Sequence, residues 1–208
     1  MALAIADIQR VHFRPGETEE AGMLRSLMDI VIFSDTHQPM PMGEWLVNKS
    51  LVTLQELEEG VVKPLRSVCT ETTCPCMSAG GPWYAWKNDE GKNIKVPAPI
   101  YVSSCMSWIE QVLVEEKRRM EGLGRDEEQP DTDLMEVLLT VHKYIFRVYA
   151  HAYTEHAEEM PHDKGIDFRF KHWLCLTRSY GLVKEEELQP LKHLIDLADR
   201  QVSGAGRH

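Results

Sequence analysis

The sequence predicts a mainly α-helical domain that contains one small β-hairpin. The strongest observation is a stripe of apolar residues at alternating steps of four and three: Leu134, Leu138, Val141, Ile145, Val148 and Ala152. This spacing is typical of one face of an amphipathic helix. A chain of 208 residues is long enough to bury one sizeable core. We therefore expect this helix at the centre of a single helical bundle.

Four further helices are predicted from the same periodicity. Gly60 is expected to bend the first of them. Ser103 or Ser104 is a suitable N-cap for the second, and Gly181 suits the position just after the third. These helices are expected to cover approximately residues 43–68, 103–119, 168–180 and 185–199.

The stretch 81–99 is predicted to form the hairpin. Aromatic residues at 83–86 precede a turn over 88–91, and a second strand over 93–96 follows. Prolines then end the hairpin.

The chain is expected to consist of three parts. Residues 1–20 predict a flexible N-terminal arm, because they mix proline, glycine and an acidic run. The segment 21–33 is amphipathic and begins a single domain over residues 21–200. The tail over 201–208 is predicted to be disordered.

Charge and cysteine content limit the classes of partner. The net charge of −10 argues against nucleic acid or an anionic membrane as the main partner. It suits a basic protein partner, or serves solubility alone. The sequence has no run of 18 apolar residues, so no transmembrane helix is predicted. The odd number of cysteines, five, lacks the framework of a secreted disulfide domain, so we expect a cytoplasmic or nuclear location.

Two cysteines and two histidines form a candidate metal site. Cys69 and Cys74 lie in a loop, and His151 and His156 lie near the end of the central helix. Thiolates and imidazoles are the ligands that tetrahedral zinc prefers. Histidines five residues apart do not share one helix face, so a common metal requires the helix to distort or end there. The alternative is buried apolar thiols and surface histidines.

The other cysteines leave the ligand set open. Cys76 is a third thiol in the loop and could replace a histidine. Cys105 and Cys175 fall within helical apolar patterns and are expected in the core.

A catalytic metal is the second alternative. A zinc hydrolase would use His151, Glu155 and His156, but it needs an open coordination position, and the histidine spacing departs from H-E-x-x-H. Two cysteines and two histidines already complete a tetrahedron, which favours a structural role.

Several blocks of this sequence resemble the Mob (Mob1/phocein) family of kinase activators. CTETTCPCMSAGGPWYAW is similar to the family's cysteine loop, C-T-x-x-x-C-P-x-M-S-A-G followed by aromatics. APIYV, FRVYAHAYTEH, FKHW and LVKEEELQPLKHLI match further motifs, in the same order, over about residues 40–198.

The resemblance implies a domain built around a four-helix bundle, with structural zinc at Cys69, Cys74, His151 and His156. It implies a noncatalytic protein that binds the basic N-terminal region of an NDR/LATS-type AGC kinase. It also implies binding to phosphothreonine segments of an upstream Ste20-like kinase or scaffold. A scaffold that has lost kinase activation is a further alternative.

The resemblance assigns Glu44, Trp45 and His172 to kinase binding. A carboxylate can pair with an arginine of the partner, and an aromatic beside it can act as an anchor. The alternative places Trp45 in the core and Glu44 in solvent. Family members that activate LATS-type kinases commonly carry an aspartate where this chain has Val52, so the departure bears on which kinase is bound.

The resemblance also assigns Lys143 and Arg147 to a phosphopeptide site. The two cations are four residues apart on the central helix and suit a phosphate. The family pattern is Lys-Arg-x-x-Arg, and here Tyr144 replaces the middle cation. We therefore expect weakened or altered phosphopeptide binding. The alternative is a solvated pair of cations.

Overall fold

A computed structural model describes residues 41–81, 83–88, 90–122, 132–160 and 168–205 of the chain. The predicted arm over 1–20 and the amphipathic segment 21–33 lie outside these residues, so the predicted division into arm, domain and tail stays a prediction. The expected fold class is confirmed, because the described residues are mostly helical, with one small sheet. None of the described helices is both long and apolar enough to cross a membrane.

The helices and strands follow each other in the order expected from the sequence. Helix α1 (Met42–Leu57) continues through a π-helical turn (Glu58–Val62) into the short α2 (Lys63–Leu65). Strands β1 (Trp86–Lys87) and β2 (Asn93–Ile94) form an antiparallel pair. Helices α3 (Ala98–Gly122), α4 (Thr132–Glu155) and α5 (Phe168–Ser179) follow, and a 3-10 turn (Gln189–Leu191) leads into α6 (Lys192–Ala205).

Four helices form the bundle: α1, α3, α4 and α5. Helix α1 packs against the other three, and α3 also packs against α4. Helix α4 contacts α5 through side chains, among them the stacked rings of Phe146 and Trp173. All six residues of the predicted apolar stripe on α4 are buried, which confirms the position expected for that helix. Burial of each such side chain contributes roughly 1.5–3 kcal/mol to folding for the larger aliphatic residues.

Some predicted boundaries were wrong, and prolines explain two of them. Helix α3 begins at Ala98 rather than at Ser103, because Pro99 lies in its first turn, where the missing N–H is not needed. The last helix begins at Lys192 rather than near 185, since Pro190 falls in the 3-10 turn. It continues to Ala205, beyond the predicted end at residue 199. The hairpin is shorter than expected, because Trp83 forms an isolated bridge with Ser78 instead.

The expected bend at Gly60 takes the form of the π-helical turn. A β-carbon at Gly60 would lie 2.7 Å from Cδ of Arg169, the second residue of α5. The Arg169 side chain thus occupies the space that a β-carbon at Gly60 would take, and a larger residue here would displace it.

A buried histidine connects three helices of the bundle. The Nε1–H of Trp173 on α5 donates to Nδ1 of His142 on α4 (3.1 Å). Because Nδ1 accepts this bond, the proton is on Nε2, which donates to Ser50 Oγ on α1 (3.0 Å). The Ser50 hydroxyl in turn donates to the Leu46 carbonyl (2.8 Å). Complete burial lowers the pKa of His142 from 6.5 to about 3, so the ring is neutral in the folded protein.

This histidine predicts a pH dependence of stability. Below pH 6.5 the unfolded chain binds a proton at His142 that the folded chain does not bind until about pH 3. As the pH is lowered from 6.5 to about 3, the free energy of unfolding therefore falls by about 1.4 kcal/mol per pH unit because of His142 alone. We expect urea denaturation of a His142→Gln variant to show a slope against pH that is shallower by this amount. Equal slopes in the two proteins would contradict the assignment.

Candidate metal centre and binding surfaces

The four side chains predicted to bind a metal converge in one buried cluster. Their ligand atoms, two sulfurs and two nitrogens, all lie within 4.8 Å of one another. Sγ of Cys69 is 3.4 Å from Nε2 of His151, and Sγ of Cys74 is 3.2 Å from Nε2 of His156. In a tetrahedral zinc site, ordinary bond lengths place sulfur and nitrogen ligands about 3.6 Å apart. The donor set and its spacing therefore fit a metal ion.

The five-residue interval between the histidines is accommodated where α4 ends. His156 follows the last helical residue, and its N–H still donates to the Ala152 carbonyl (3.1 Å). The chain then turns, and the N–H of Met160 donates to the His156 carbonyl (3.2 Å). The two imidazole centroids are 5.2 Å apart. The helix therefore ends between the two histidines, as the sequence analysis requires if His151 and His156 are to share one metal.

Two threonines shape the loop that presents the cysteines. The N–H of Thr70 donates to Thr73 Oγ1 (2.8 Å), and the N–H of Thr73 donates to Thr70 Oγ1 (3.1 Å). This reciprocal pair closes a tight turn, in which the N–H of Cys74 donates to the Thr70 carbonyl (2.8 Å). The turn thus brings Cys74 back beside Cys69. Sequence reasoning missed this role, although threonine side chains commonly form hydrogen bonds with nearby backbone groups in turns.

A backbone carbonyl orients one of the imidazoles. Nδ1 of His151 donates to the Ser78 carbonyl (2.8 Å), which fixes the proton on Nδ1 and leaves the Nε2 lone pair facing Cys69. Burial, reinforced by the nearby His156 and opposed by the bond to Ser78, lowers the pKa of His151 overall. The ring is therefore held neutral, as a metal ligand must be.

The cysteine side of the cluster carries an electrostatic cost that a cation would offset. Burial, together with the adjacent Cys74, raises the pKa of Cys69 to about 12. Two thiolates cannot form side by side in this buried position without a positive charge. A bound divalent ion replaces both thiol protons and removes the repulsion.

Glu155 supports the cysteine loop. Its Oε1 accepts hydrogen bonds from the N–H of Gly80 (2.9 Å) and from the hydroxyl of Ser78 (3.2 Å). Gly80 has a φ of 64°, a left-handed conformation that favours glycine. The carboxylate that the hydrolase alternative would use as a general base is thus bound to the loop backbone.

The remaining cysteines are separate from this cluster. Cys76 is partly exposed and is not among the four converging residues. Cys105 is buried, as predicted, and burial raises the pKa of its thiol to about 12. The prediction for Cys175 was wrong, because it is exposed. It lies on the opposite side of α5 from the buried Trp173 and Thr177.

The three predicted kinase-binding residues lie along α1 and α5 but do not form one cluster. The partly buried ring of Trp45 packs against Tyr180, just after α5, with centroids 5.1 Å apart. Nδ1 of His172, near the start of α5, is 3.3 Å from Oε2 of Glu56. Trp45 and Glu56 are eleven residues apart, about 17 Å along α1. Glu44 is partly buried in the first turn, around the helix from Trp45.

One face of α1 joins these two contacts. It carries residues at positions i, i+4, i+7 and i+11, which share a side of a helix. We call it, with the α5 residues beside it, the α1–α5 face: Trp45, Lys49, Val52, Glu56, His172 and Tyr180. The ammonium of Lys49 lies 5.6 Å from the Trp45 ring centroid. Sequence reasoning did not identify Lys49, because nothing in the sequence states which side of α1 meets α5.

The two predicted phosphopeptide residues are both on α4 and differ in their surroundings. Lys143 is partly exposed, with its ammonium 5.7 Å from the Tyr144 ring centroid. The guanidinium of Arg147 lies over the rings of Tyr84 (4.8 Å) and Tyr144 (5.3 Å). Its Nη1 donates to the Tyr101 hydroxyl (3.0 Å). Arg147 is therefore already engaged by three aromatic residues.

Tyr144, the substituted position, belongs to an aromatic cluster. Its ring centroid is 5.3 Å from that of Trp108, 5.7 Å from Trp86 and 6.2 Å from Tyr101. Burial lowers the pKa of Arg147, but Tyr101 and the carboxylate of Glu187 outweigh this and raise it overall. Tyr144 thus contributes aromatic contacts at the position where the family pattern has a cation.

Comparisons with known proteins identify relatives over most of the chain. A family model described as the Mob1/phocein family matches residues 35–191. "MOB kinase activator-like 1A" of Arabidopsis thaliana is 31% identical over 202 residues, covering 88% of this chain and 92% of the relative. The protein of the same name from Medicago sativa subsp. falcata is 32% identical, covering 74% and 73%. "MOB kinase activator-like 1 homolog A" of Dictyostelium discoideum is 33% identical, covering 74% of each.

The cluster predicts a difference between two neighbouring cysteines. A Cys74→Ser variant is expected to lose its metal and to be destabilised by about 3 kcal/mol or more, because structural metal binding is coupled to folding. Cys76→Ser, in the same loop, is the matched control and is expected to keep both metal and stability. Elemental mass spectrometry and thermal melts measure the two effects. The site is misassigned if Cys76→Ser loses the metal or Cys74→Ser keeps it.

Proposed function

Because the chain belongs to the Mob1/phocein family, we propose that it is a noncatalytic co-activator that binds a protein kinase. The observation that carries the proposal is the family match over residues 35–191, which contains the whole buried Cys2His2 cluster. Relatives in three organisms are named kinase activators. We place the partner among NDR/LATS-type AGC kinases, through their basic N-terminal region, as the family resemblance implies.

We propose that the metal is zinc and that its role is structural. Cys69, Cys74, His151 and His156 supply the two sulfurs and two nitrogens of a closed tetrahedral zinc site. When bound, zinc would join the cysteine loop to the end of α4. Glu155 and the Ser78 carbonyl support the same junction from outside the cluster. A hydrolase would need an open coordination position and a free base, and the contacts of Glu155 do not favour it.

The α1–α5 face is the surface that we propose for kinase binding. Trp45 is a partly buried aromatic on the side of a helix, and Tyr180 packs against it. Such a pair offers a rigid apolar anchor, the kind of residue that carries much of the energy of protein interfaces. His172 and Glu56 extend the face along α5. We also propose a cytoplasmic or nuclear location, because none of the five cysteines, all of which lie in the described part of the chain, forms a disulfide.

A scaffold that binds proteins without activating a kinase is the second candidate. It is favoured by the engagement of Arg147 with Tyr84, Tyr101 and Tyr144. Lys143, the other predicted phosphate ligand, has one such aromatic contact, with Tyr144, and is the less engaged of the two cations that an upstream Ste20-like kinase carrying phosphothreonine would meet. Stimulation of kinase activity by the purified chain separates the two candidates.

Trp45 provides the direct test of kinase binding. A Trp45→Ala variant is expected to bind the N-terminal regulatory segment of an NDR/LATS-type kinase at least about tenfold more weakly, because the anchor is lost. Trp83, which is 46% exposed on the hairpin side of the domain, gives the matched control, and Trp83→Ala is expected to bind normally. Calorimetry measures affinity, and a kinase assay measures stimulation. If the wild-type chain binds no such segment, the proposed partner class is wrong.

Tyr144 provides a test of the phosphopeptide surface. A Tyr144→Arg variant is expected to bind a phosphothreonine peptide about tenfold more tightly than the wild type, because a charged hydrogen bond to the phosphate is worth about 1.5–3 kcal/mol. Tyr144→Phe keeps the aromatic contacts and adds no charge, so its affinity should match the wild type. Fluorescence anisotropy with phosphorylated and unphosphorylated peptides gives the comparison. No gain in Tyr144→Arg would show that Lys143 and Arg147 do not form a phosphate site.

A further inference from the structure

We propose that Lys49 determines which partner binds the α1–α5 face. The structure favours an amphipathic helical segment that places a carboxylate against Lys49 and an apolar side chain against Val52. This inference rests on the proposed function and makes it more specific. A uniformly basic helix, the partner expected from the net charge alone, would meet a cation at the centre of this face.

The position of Lys49 is central on the face. It lies one turn after Trp45 and about two turns before Glu56, and Val52, which is partly buried like them, lies between Lys49 and Glu56. At 1.5 Å per residue, Lys49 is about 6 Å along the axis from Trp45 and about 10 Å from Glu56. A partner helix anchored on Trp45 therefore passes over Lys49 before it reaches any acidic residue of the face.

The Lys49 ammonium has no carboxylate partner among the residues that the structure describes. It lies over the Trp45 ring, 5.6 Å from the centroid. The carboxylate of Glu56, on the same face, is instead 3.3 Å from Nδ1 of His172. The cation is thus held in place by an aromatic ring, and its charge remains to be matched by a partner.

Partial burial makes this charge selective. Burial lowers the pKa of Lys49, and the negative charge of Glu56 raises it by less, so the pKa remains lowered overall. A group that is already partly desolvated gains more from an opposite charge, and loses more beside a like charge, than a fully solvated lysine. Val52 adds a methyl-bearing surface three residues further on. A matching partner helix would therefore carry its acidic and apolar residues three or four positions apart.

The test uses synthetic peptides derived from one NDR/LATS-type regulatory segment. A single glutamate is moved along the segment, one position per peptide, and the tightest binder is compared with a peptide that has arginine at that position. The wild-type chain is expected to prefer the glutamate peptide by about tenfold or more. Lys49→Glu is expected to reverse this preference. Thermal melts verify that the variant is folded.

The matched control is another lysine that lies over a tryptophan. The ammonium of Lys95 is 5.8 Å from the Trp83 ring centroid, away from this face. Lys95→Glu is expected to retain the wild-type preference. The inference is overturned if the wild type binds the two peptides equally, or if Lys95→Glu also reverses the preference, and in both cases the proposed function stands. If neither the peptides nor the unmodified segment binds, both proposals fall.

Discussion

The constraint on which this domain depends is the convergence of two thiols and two imidazoles from distant parts of the chain. Each Cys–His contact joins residues that are 82 positions apart. One side of the junction is a loop with little regular structure, and the other is the end of the most deeply buried helix. Loop closure over such a separation carries an entropic cost. A metal ion bound by all four residues would be strong enough to offset it, whereas the threonine turn and the Glu155 contacts shape the loop that would hold the ion.

The same junction positions the proposed phosphopeptide surface. The loop that leaves the cluster reaches Tyr84, whose N–H donates to the Met77 carbonyl (2.7 Å). The Tyr84 ring then lies over Arg147, one turn before His151 on α4. The contact between Tyr84 and Arg147 is therefore expected to depend on the position of the cysteine loop. Loss of a bound metal is therefore expected to disturb the Tyr84–Arg147 contact as well as the cysteines. Tyr84 follows the cysteine loop and Arg147 lies one turn before His151, so both residues of this contact lie next to the cluster.

Residue patterns predicted the parts of this structure that depend on local periodicity. The stripe on α4 required only the helical repeat. Side-chain chemistry singled out the four ligands as candidates, and the family resemblance was needed to prefer them over a set that includes Cys76. The bend at Gly60 followed from the residue type, but the side chain that lies against this turn, Arg169, comes from another helix and was not predicted. The failures at Cys175 and at the start of α3 have the same origin. A helix can be recognised from its own sequence, but the side that it buries and the turn where it begins are decided by packing and by prolines.

Net charge describes the whole surface and is a poor guide to either proposed binding surface. The chain has a net charge of −10, yet Lys49, Lys143 and Arg147 are the charged groups that lie over aromatic rings there. Stacking on a ring limits the rotamers of a long cationic side chain, so less entropy is lost when a partner binds. The acidic groups, which are largely exposed, mainly govern solubility and long-range attraction. Selectivity at each surface is therefore expected to come from a few ordered cations, and an acidic partner residue is the feature that these cations distinguish.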